Sequence, residues 1–273
     1  MIRRTTVVLL VVIGRCIAGS SAERVPIDSF SAPEARQGIA VDAKYLYAVD
    51  NAAIGKYDKF TGNLVARWES SDEEPLIHLD SGVVVDGTLY CAHSNYPGRP
   101  MTSSIEMWDA ETLTHVGNHS FGIDTGSCTW VDRHAGHWWC VFAHYETKGG
   151  YEDKDNCWTS LVEYDDKWRR LQAWVFPSEV LERFGDYSNS GGSWGPDGLL
   201  YCTGHDLPEL YALQLPKAGS VLKLVEIVPF GNEGQGIAFD RSTPGDIYGI
   251  IKKERRVVRG TLTNLKRAAF TRE

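Results

Sequence analysis

The sequence contains no CxxC pair, no glycine-rich phosphate loop and no nucleophile elbow, which removes dithiol redox, P-loop and α/β-hydrolase chemistry from consideration. Beyond residue 22 it has no apolar run long enough to cross a bilayer as a helix. Cysteine is sparse, six in 273 residues, too few for a disulfide-stapled scaffold. Basic residues are outnumbered, 28 Lys and Arg against 36 Asp and Glu, so neither nucleic acid nor an anionic membrane is expected as a partner. What is abundant is Gly (27), Tyr (12) and Trp (9). That aromatic content favours strands over a helical bundle, and the length suits one large β domain or two smaller ones.

Arg3 and Arg4 precede an apolar run over 7–13, and Ser20-Ser21-Ala22 offers small residues for cleavage. Residues 1–22 therefore read as a signal peptide, and the protein as secreted or periplasmic. Loss of Arg3, Arg4 and Arg15 with that segment leaves 25 basic against 36 acidic residues, a charge of −11. Five cysteines remain, at 91, 128, 140, 157 and 202. An odd number leaves at least one thiol unpaired, and Cys128 with Cys140 is the one pair on neighbouring strands, so three or five free thiols are expected.

Internal repetition is the strongest signal. Gly38-Ile-Ala-Val-Asp42 returns as Gly82-Val-Val-Val-Asp86, Cys128-Thr-Trp-Val-Asp132, Ser193-Trp-Gly-Pro-Asp197 and Gly236-Ile-Ala-Phe-Asp240. The aspartates are spaced 44, 46, 65 and 43 residues apart. They read as hairpin-capping turn residues without a catalytic role. Each anchor is followed by a second and a third short β-rich run, and in four repeats by a fourth, which is the pattern of a propeller blade. The extra length of the third repeat falls in Gly-, Asp- and Lys-rich loops, so five blades fit better than six. The expectation is one all-β, five-bladed propeller of four-stranded antiparallel blades over 23–265, with a tail at 266–273. The fifth repeat lacks a fourth run, and residues 24–30 are assigned to supply it against 257–262, closing the ring.

Gly38-Ile-Ala-Val-Asp42, Leu46-Tyr-Ala-Val-Asp-Asn51, the run from Ile54 to Val65 and Gly195-Pro-Asp-Gly-Leu-Leu-Tyr201 resemble blades of the broad YVTN/NHL/SMP-30-like group of propellers. The resemblance implies the fold and no single activity, since such propellers include lactonases, lyases and binding proteins. Lactonases of that group hold a divalent metal with a Glu, Asn and Asp set, and Gln37 stands where the first Glu would be expected.

Propeller geometry places fourth-to-first and second-to-third loops on one face, around the central funnel. His78, His93, His144 and His205 all fall there. His93, His144 and His205 end second strands and are candidate ligands for a divalent ion (Zn, Mn or Ca); no nucleotide or organic cofactor is expected. The same four imidazoles also fit a hydrogen-bonded polar lining, or acid–base catalysis without metal. Loops 94–104, 145–158 and 177–191 rise from that face. In the catalytic reading His78 is the base, Tyr96 or Tyr145 donates a proton to the leaving oxygen, and Arg99 holds a substrate carboxylate. Gln37, Asn189, Gln235, Lys252 and Lys253 are the candidate substrate-binding residues, and Asp80 and Glu233 the nearest carboxylates. The expected function is a metal-assisted lyase or hydrolase acting on an acidic saccharide or sugar-acid lactone. The alternative is a propeller that binds a glycan or a protein without chemistry. The expected partner is a small molecule or saccharide, and the protein is expected to be a monomer.

Overall fold

The computed structural model describes residues 26–73, 76–123 and 125–262; the expected signal peptide and C-terminal tail lie outside the described residues. After a short strand β1 (Ser29–Ser31), the chain forms five four-stranded antiparallel sheets. The first holds β2 (Gly38–Val41), β3 (Tyr45–Asp50), β4 (Ala53–Asp58) and β5 (Leu64–Glu69). The second holds β6 (Leu79–Val85), β7 (Thr88–Ser94), β8 (Ser103–Asp109) and β9 (His115–Gly122). The third holds β10 (Ser127–His134), β11 (His137–Ala143), β12 (Ser160–Tyr164) and β13 (Arg170–Val175), and a helix α1 (Ser178–Phe184) leads on from it. The fourth holds β14 (Gly191–Trp194), β15 (Leu200–Thr203), β16 (Glu209–Gln214) and β17 (Lys223–Pro229). The fifth holds β18 (Ile237–Phe239), β19 (Asp246–Ile251) and β20 (Arg256–Thr261), with β1 as its outer strand. There Ser29, Phe30 and Ser31 stand opposite Val258, Val257 and Arg256, a shorter strand than the assigned 24–30, of which residues 24 and 25 lie outside the described residues.

The innermost strands touch in the order β2, β6, β10, β14, β18 and back to β2, which makes a ring around a funnel. Burial grades outward as that geometry demands. The innermost β2 and β14 are buried at every position, whereas β5 and β9 expose every second residue or more. Between blades the apolar faces interdigitate; Trp130, Trp139, Trp174, Trp194, Val180 and Phe184 fill the space between the third and fourth.

The recurrent aspartates divide by role, which corrects their reading as turn residues alone. Asp42 and Asp197 do cap their hairpins, accepting from Tyr45 N (2.7 Å) and Leu199 N (3.2 Å), and each also takes a tyrosine hydroxyl, Tyr47 or Tyr201, at 2.8 Å. Asp86 (φ 48°) and Gly87 (φ 77°) are the two-residue turn between β6 and β7, where the twist of a hairpin calls for left-handed backbone. Asp240 likewise caps its turn, accepting from Ser242 N at 2.8 Å, and Asp132 and Asp240 also fasten blades together. Asp132 accepts from Ser193 Oγ (3.1 Å) and Trp194 N (2.8 Å) of the next blade and pairs with Arg241 of the fifth, while Asp240 takes Lys59 Nζ of the first blade at 2.6 Å.

All five cysteines among the described residues are free, four of them buried and Cys157 exposed. Register sets Cys128 opposite Phe142 and Cys140 opposite Val131, so the two lie on a diagonal, where their thiols interact without being bonded. Titration of the unreduced chain from residue 23 with Ellman's reagent is expected to find one thiol in the native protein and five after unfolding. A total of three would mean that Cys128 and Cys140 are bonded.

Candidate functional site

Each blade sends one polar residue to the funnel floor from the start of its innermost strand: Gln37, Asp80, Thr129, Ser190 and Gln235. In two blades a bulge places it there. The pairing of β6 with β7 jumps between Leu79 and Gly82, and that of β10 with β11 between Cys128 and Trp130, so Asp80 and Thr129 fall outside the regular ladder. Above this floor lies a cavity of about 600 Å³. One wall carries Tyr96 between His78 (ring centroids 4.9 Å apart) and Tyr145 (5.0 Å). The other carries Tyr187 stacked on His205 at 3.9 Å, with the rings 11° from parallel. Arg36, Lys148 and Lys252 line the same space, a cationic pocket in an acidic protein.

The chemical centre is His78 with Asp80. Their Nε2 and Oδ2 are 3.4 Å apart, with side chains 12% and 6% exposed. His78 Nδ1 lies 3.2 Å from Asn51 Oδ1, which also accepts from Gln37 Nε2 at 2.5 Å. Two donors on one amide oxygen put the imidazole proton on Nδ1 and leave Nε2 as an acceptor facing Asp80. A neutral carboxylic acid at Asp80 completes that arrangement. Burial drives both groups the same way: it lifts the Asp80 carboxyl well above its ordinary range, and with the nearby cations His93, Lys252 and Arg36 it lowers the His78 imidazole to about 4.

This pairing has a consequence for stability. Where the raised Asp80 carboxyl keeps its proton above about pH 4, the native pair carries one proton, and below the ordinary imidazole value of 6.5 the unfolded chain also carries one, on His78. Over that span the pair's contribution is flat. In the Asp80→Asn variant only the depressed imidazole remains. Its contribution is present above pH 6.5 and lost as pH falls towards 4, a swing of about 3 kcal/mol. Urea midpoints across that range should show the variant losing stability with acid relative to the parent; parallel curves would refute the shared-proton assignment.

The other expected site residues are distributed unevenly. His78, Tyr96, Tyr145, His205, Gln37, Gln235 and Lys252 do line the cavity. His93 and His144 do not: His93 Nδ1 turns to Ser104 Oγ (3.0 Å) between strands, and His144 packs where a Cβ on Gly126 would meet its Nε2 at 2.8 Å. His205 Nδ1 is held by Asp206 Oδ1 at 2.8 Å. Among the described residues no three His, Cys, Asp or Glu side chains gather to hold a metal ion, so His93, His144 and His205 are not one ligand set. The cause is geometric: residues at like positions of successive blades are splayed by the ring and by strand register. Arg99 also departs from its expected place: it is exposed and lies over the Tyr151 ring at 5.7 Å, outside the cavity lining. Asn189 is spent on structure, accepting from Trp130 Nε1 (2.5 Å) and donating to Gly191 O and Thr203 O. Lys253 points to Glu233, 3.8 Å away at the surface. Arg36, Asn51, Thr129, Lys148 and Tyr187 were not singled out from sequence. Only Asp80 left a trace there, as a charge inside an otherwise apolar first strand.

No family model and no curated protein matches the sequence. Among solved structures, the PQQ-bound aldose sugar dehydrogenase of Streptomyces coelicolor is similar at 13% identity and a TM-score of 0.50, over 90% of this chain and 85% of that one. The WD40 repeats of RRP9 align over 81% of this chain and 78% of theirs, at 12% identity and a TM-score of 0.42. A protein of unknown function from Bacteroides caccae aligns over 79% and 67%, at 12% identity and 0.43. At such identities what is shared is the propeller fold.

Proposed function

We propose that the funnel is the active site of a lyase or hydrolase working by acid–base catalysis on a small acidic saccharide or a sugar-acid lactone. The observation that carries this reading is the buried His78–Asp80 pair, 3.4 Å apart beneath a cationic rim, where burial lowers the imidazole and raises the carboxyl. An acid and a base with separated proton affinities are what proton abstraction coupled to leaving-group protonation needs. Arg36, Lys148 and Lys252 suit a substrate carboxylate. Thr129 Oγ1, 3% exposed and without a hydrogen-bond partner among the described residues, suits a sugar hydroxyl. Tyr187 on His205 suits a pyranose face.

When substrate displaces Asp80 from His78, Nε2 takes the proton from the carbon beside the carboxylate, and Asp80 gives its proton to the departing oxygen. A double bond forms and an alcohol leaves. The proton then returns from imidazolium to carboxylate. With a lactone, Nε2 takes the proton from attacking water and Asp80 protonates the ring oxygen. The test is a panel of uronate oligosaccharides and aldonolactones, following ultraviolet absorbance for new double bonds and base uptake for released acid. Calorimetry on the same panel covers the second reading, which the stacked Tyr187–His205 platform favours: binding without turnover makes the protein a sugar-acid-binding module. A panel that neither binds nor reacts defeats both.

A further inference from the structure

The basic run Lys252-Lys-Glu-Arg-Arg256 forms the tip between β19 and β20, and its members differ in what they touch. Lys253 reaches Glu233, Glu254 pairs with Arg256 at 2.8 Å, and Arg255 binds Asp50 Oδ2 and Pro33 O at 2.7 Å each. Lys252 makes no ion pair or side-chain hydrogen bond among the described residues, and it is the member of the run that lines the funnel. Its backbone is held: residues Lys252–Glu254 make one turn of 3-10 helix, closed by Arg255 in left-handed conformation (φ 50°) and pinned to the first blade through Arg255. Lys252 thus presents its amine to the cavity without a hydrogen bond or ion pair among the described residues, whereas Lys253, Arg255 and Arg256 of the same run are each engaged.

We propose that Lys252 captures the open-chain aldehyde or keto group of a sugar acid as an imine, adding carbonyl chemistry to the site. The ligand class rests on the function proposed above; the amine's role does not. In the step, the Nζ lone pair attacks the carbonyl carbon, and the carbonyl oxygen takes one proton from the nitrogen and becomes the carbinolamine hydroxyl. Loss of the second nitrogen proton with that hydroxyl releases water and leaves a C=N bond, so no further reactant enters. Burial and the flanking Arg36 lower the lysine's proton affinity against the opposing pull of Asp80 and Asp206, which raises the fraction of free amine able to attack. The imine then draws electrons from the adjacent C–H bond, the bond that His78 Nε2 would attack.

The experiment is reductive trapping. The full-length mature protein is incubated with glyoxylate, pyruvate or D-glucuronate and cyanoborohydride, and the modified lysines are mapped by mass spectrometry. Lys217, an exposed lysine of the fourth blade, sets the background. Labelling at Lys252 is expected to exceed that at Lys217 by about tenfold or more. Lys252→Arg keeps the charge and cannot form the imine. It is expected to abolish the adduct at position 252 while leaving the label on Lys217 unchanged, which shows that the funnel adduct is formed by this amine. Labelling at Lys252 no higher than at Lys217, or a shift of the wild-type adduct to Lys148, overturns the proposal. Failure of the wild type to bind any sugar acid defeats the function proposed above and is read independently of the trapping.

Discussion

Asp80→Asn and His78→Gln are each expected to lower kcat on a responding uronate or lactone by about 100- to 10,000-fold, the range for loss of a general acid or base. The reason is the division of one proton between them. In Asp80→Asn the introduced amide keeps a polar group of the same shape beside His78 Nε2 while the transferable proton is gone. In His78→Gln the introduced side chain can still meet Asn51, so the network around Gln37 survives while the base is gone. Because the two groups act as a unit, the double variant should be scarcely slower than the slower single one. Thermal melts at pH 7 separate chemistry from folding, since neither change opens a large cavity. Rates within a few-fold of wild type in both variants would remove the proposed mechanism, with the propeller left intact.

Lys59→Met is expected to destabilise the protein by about 3–5 kcal/mol, the cost of breaking a buried ion pair from one side. Lys59 Nζ sits 2.6 Å from Asp240 Oδ2 and 3.0 Å from both Ser242 Oγ and Asp42 O, with Lys59 1% and Asp240 0% exposed. Methionine fills the volume of the lysine stem and leaves the Asp240 carboxylate buried with neither its countercharge nor water. The contact joins the first blade to the fifth, the seam at which the ring closes, so its loss should loosen the propeller where only residues 32–37 connect the two blades covalently. A shift of the urea midpoint at unchanged slope is the measurement. Adding Asp240→Asn should recover part of the loss, because the stranded charge is then removed; full additivity of the two changes would show that they are not coupled.

Blade number and strand order were legible in the sequence because both are local properties. A strand shows a run of β-rich residues with a period of two, a turn shows Gly, Asp or Asn, and a repeat shows both again at a fixed interval. Leu64–Glu69 and Lys223–Pro229 are two of the fourth runs that the repeat shows, and both are outer strands. The face on which His78, Tyr96, Tyr145 and His205 lie was equally legible, since alternation of loops between the two faces follows from strand order alone.

What met what on that face was not. A one-residue shift in register turns a side chain to the opposite face, and the bulges in β6 and β10 are such shifts, without a consistent mark in the repeat. They bring Asp80 under His78 and Thr129 onto the floor, while regular pairing turns His93 away to Ser104. The blade fasteners are hidden for a second reason. Lys59 and Asp240 are 181 residues apart, and Arg241 and Asp132 are 109 apart, so their pairing exists only once the ring has closed. Local patterning was enough for a ring of five antiparallel blades and for the face that opens. That Asp80 stands beside His78 on that face while His93, His144 and His205 do not gather follows from the closed ring, because register and closure, neither a local property, set which charges share a low-dielectric space.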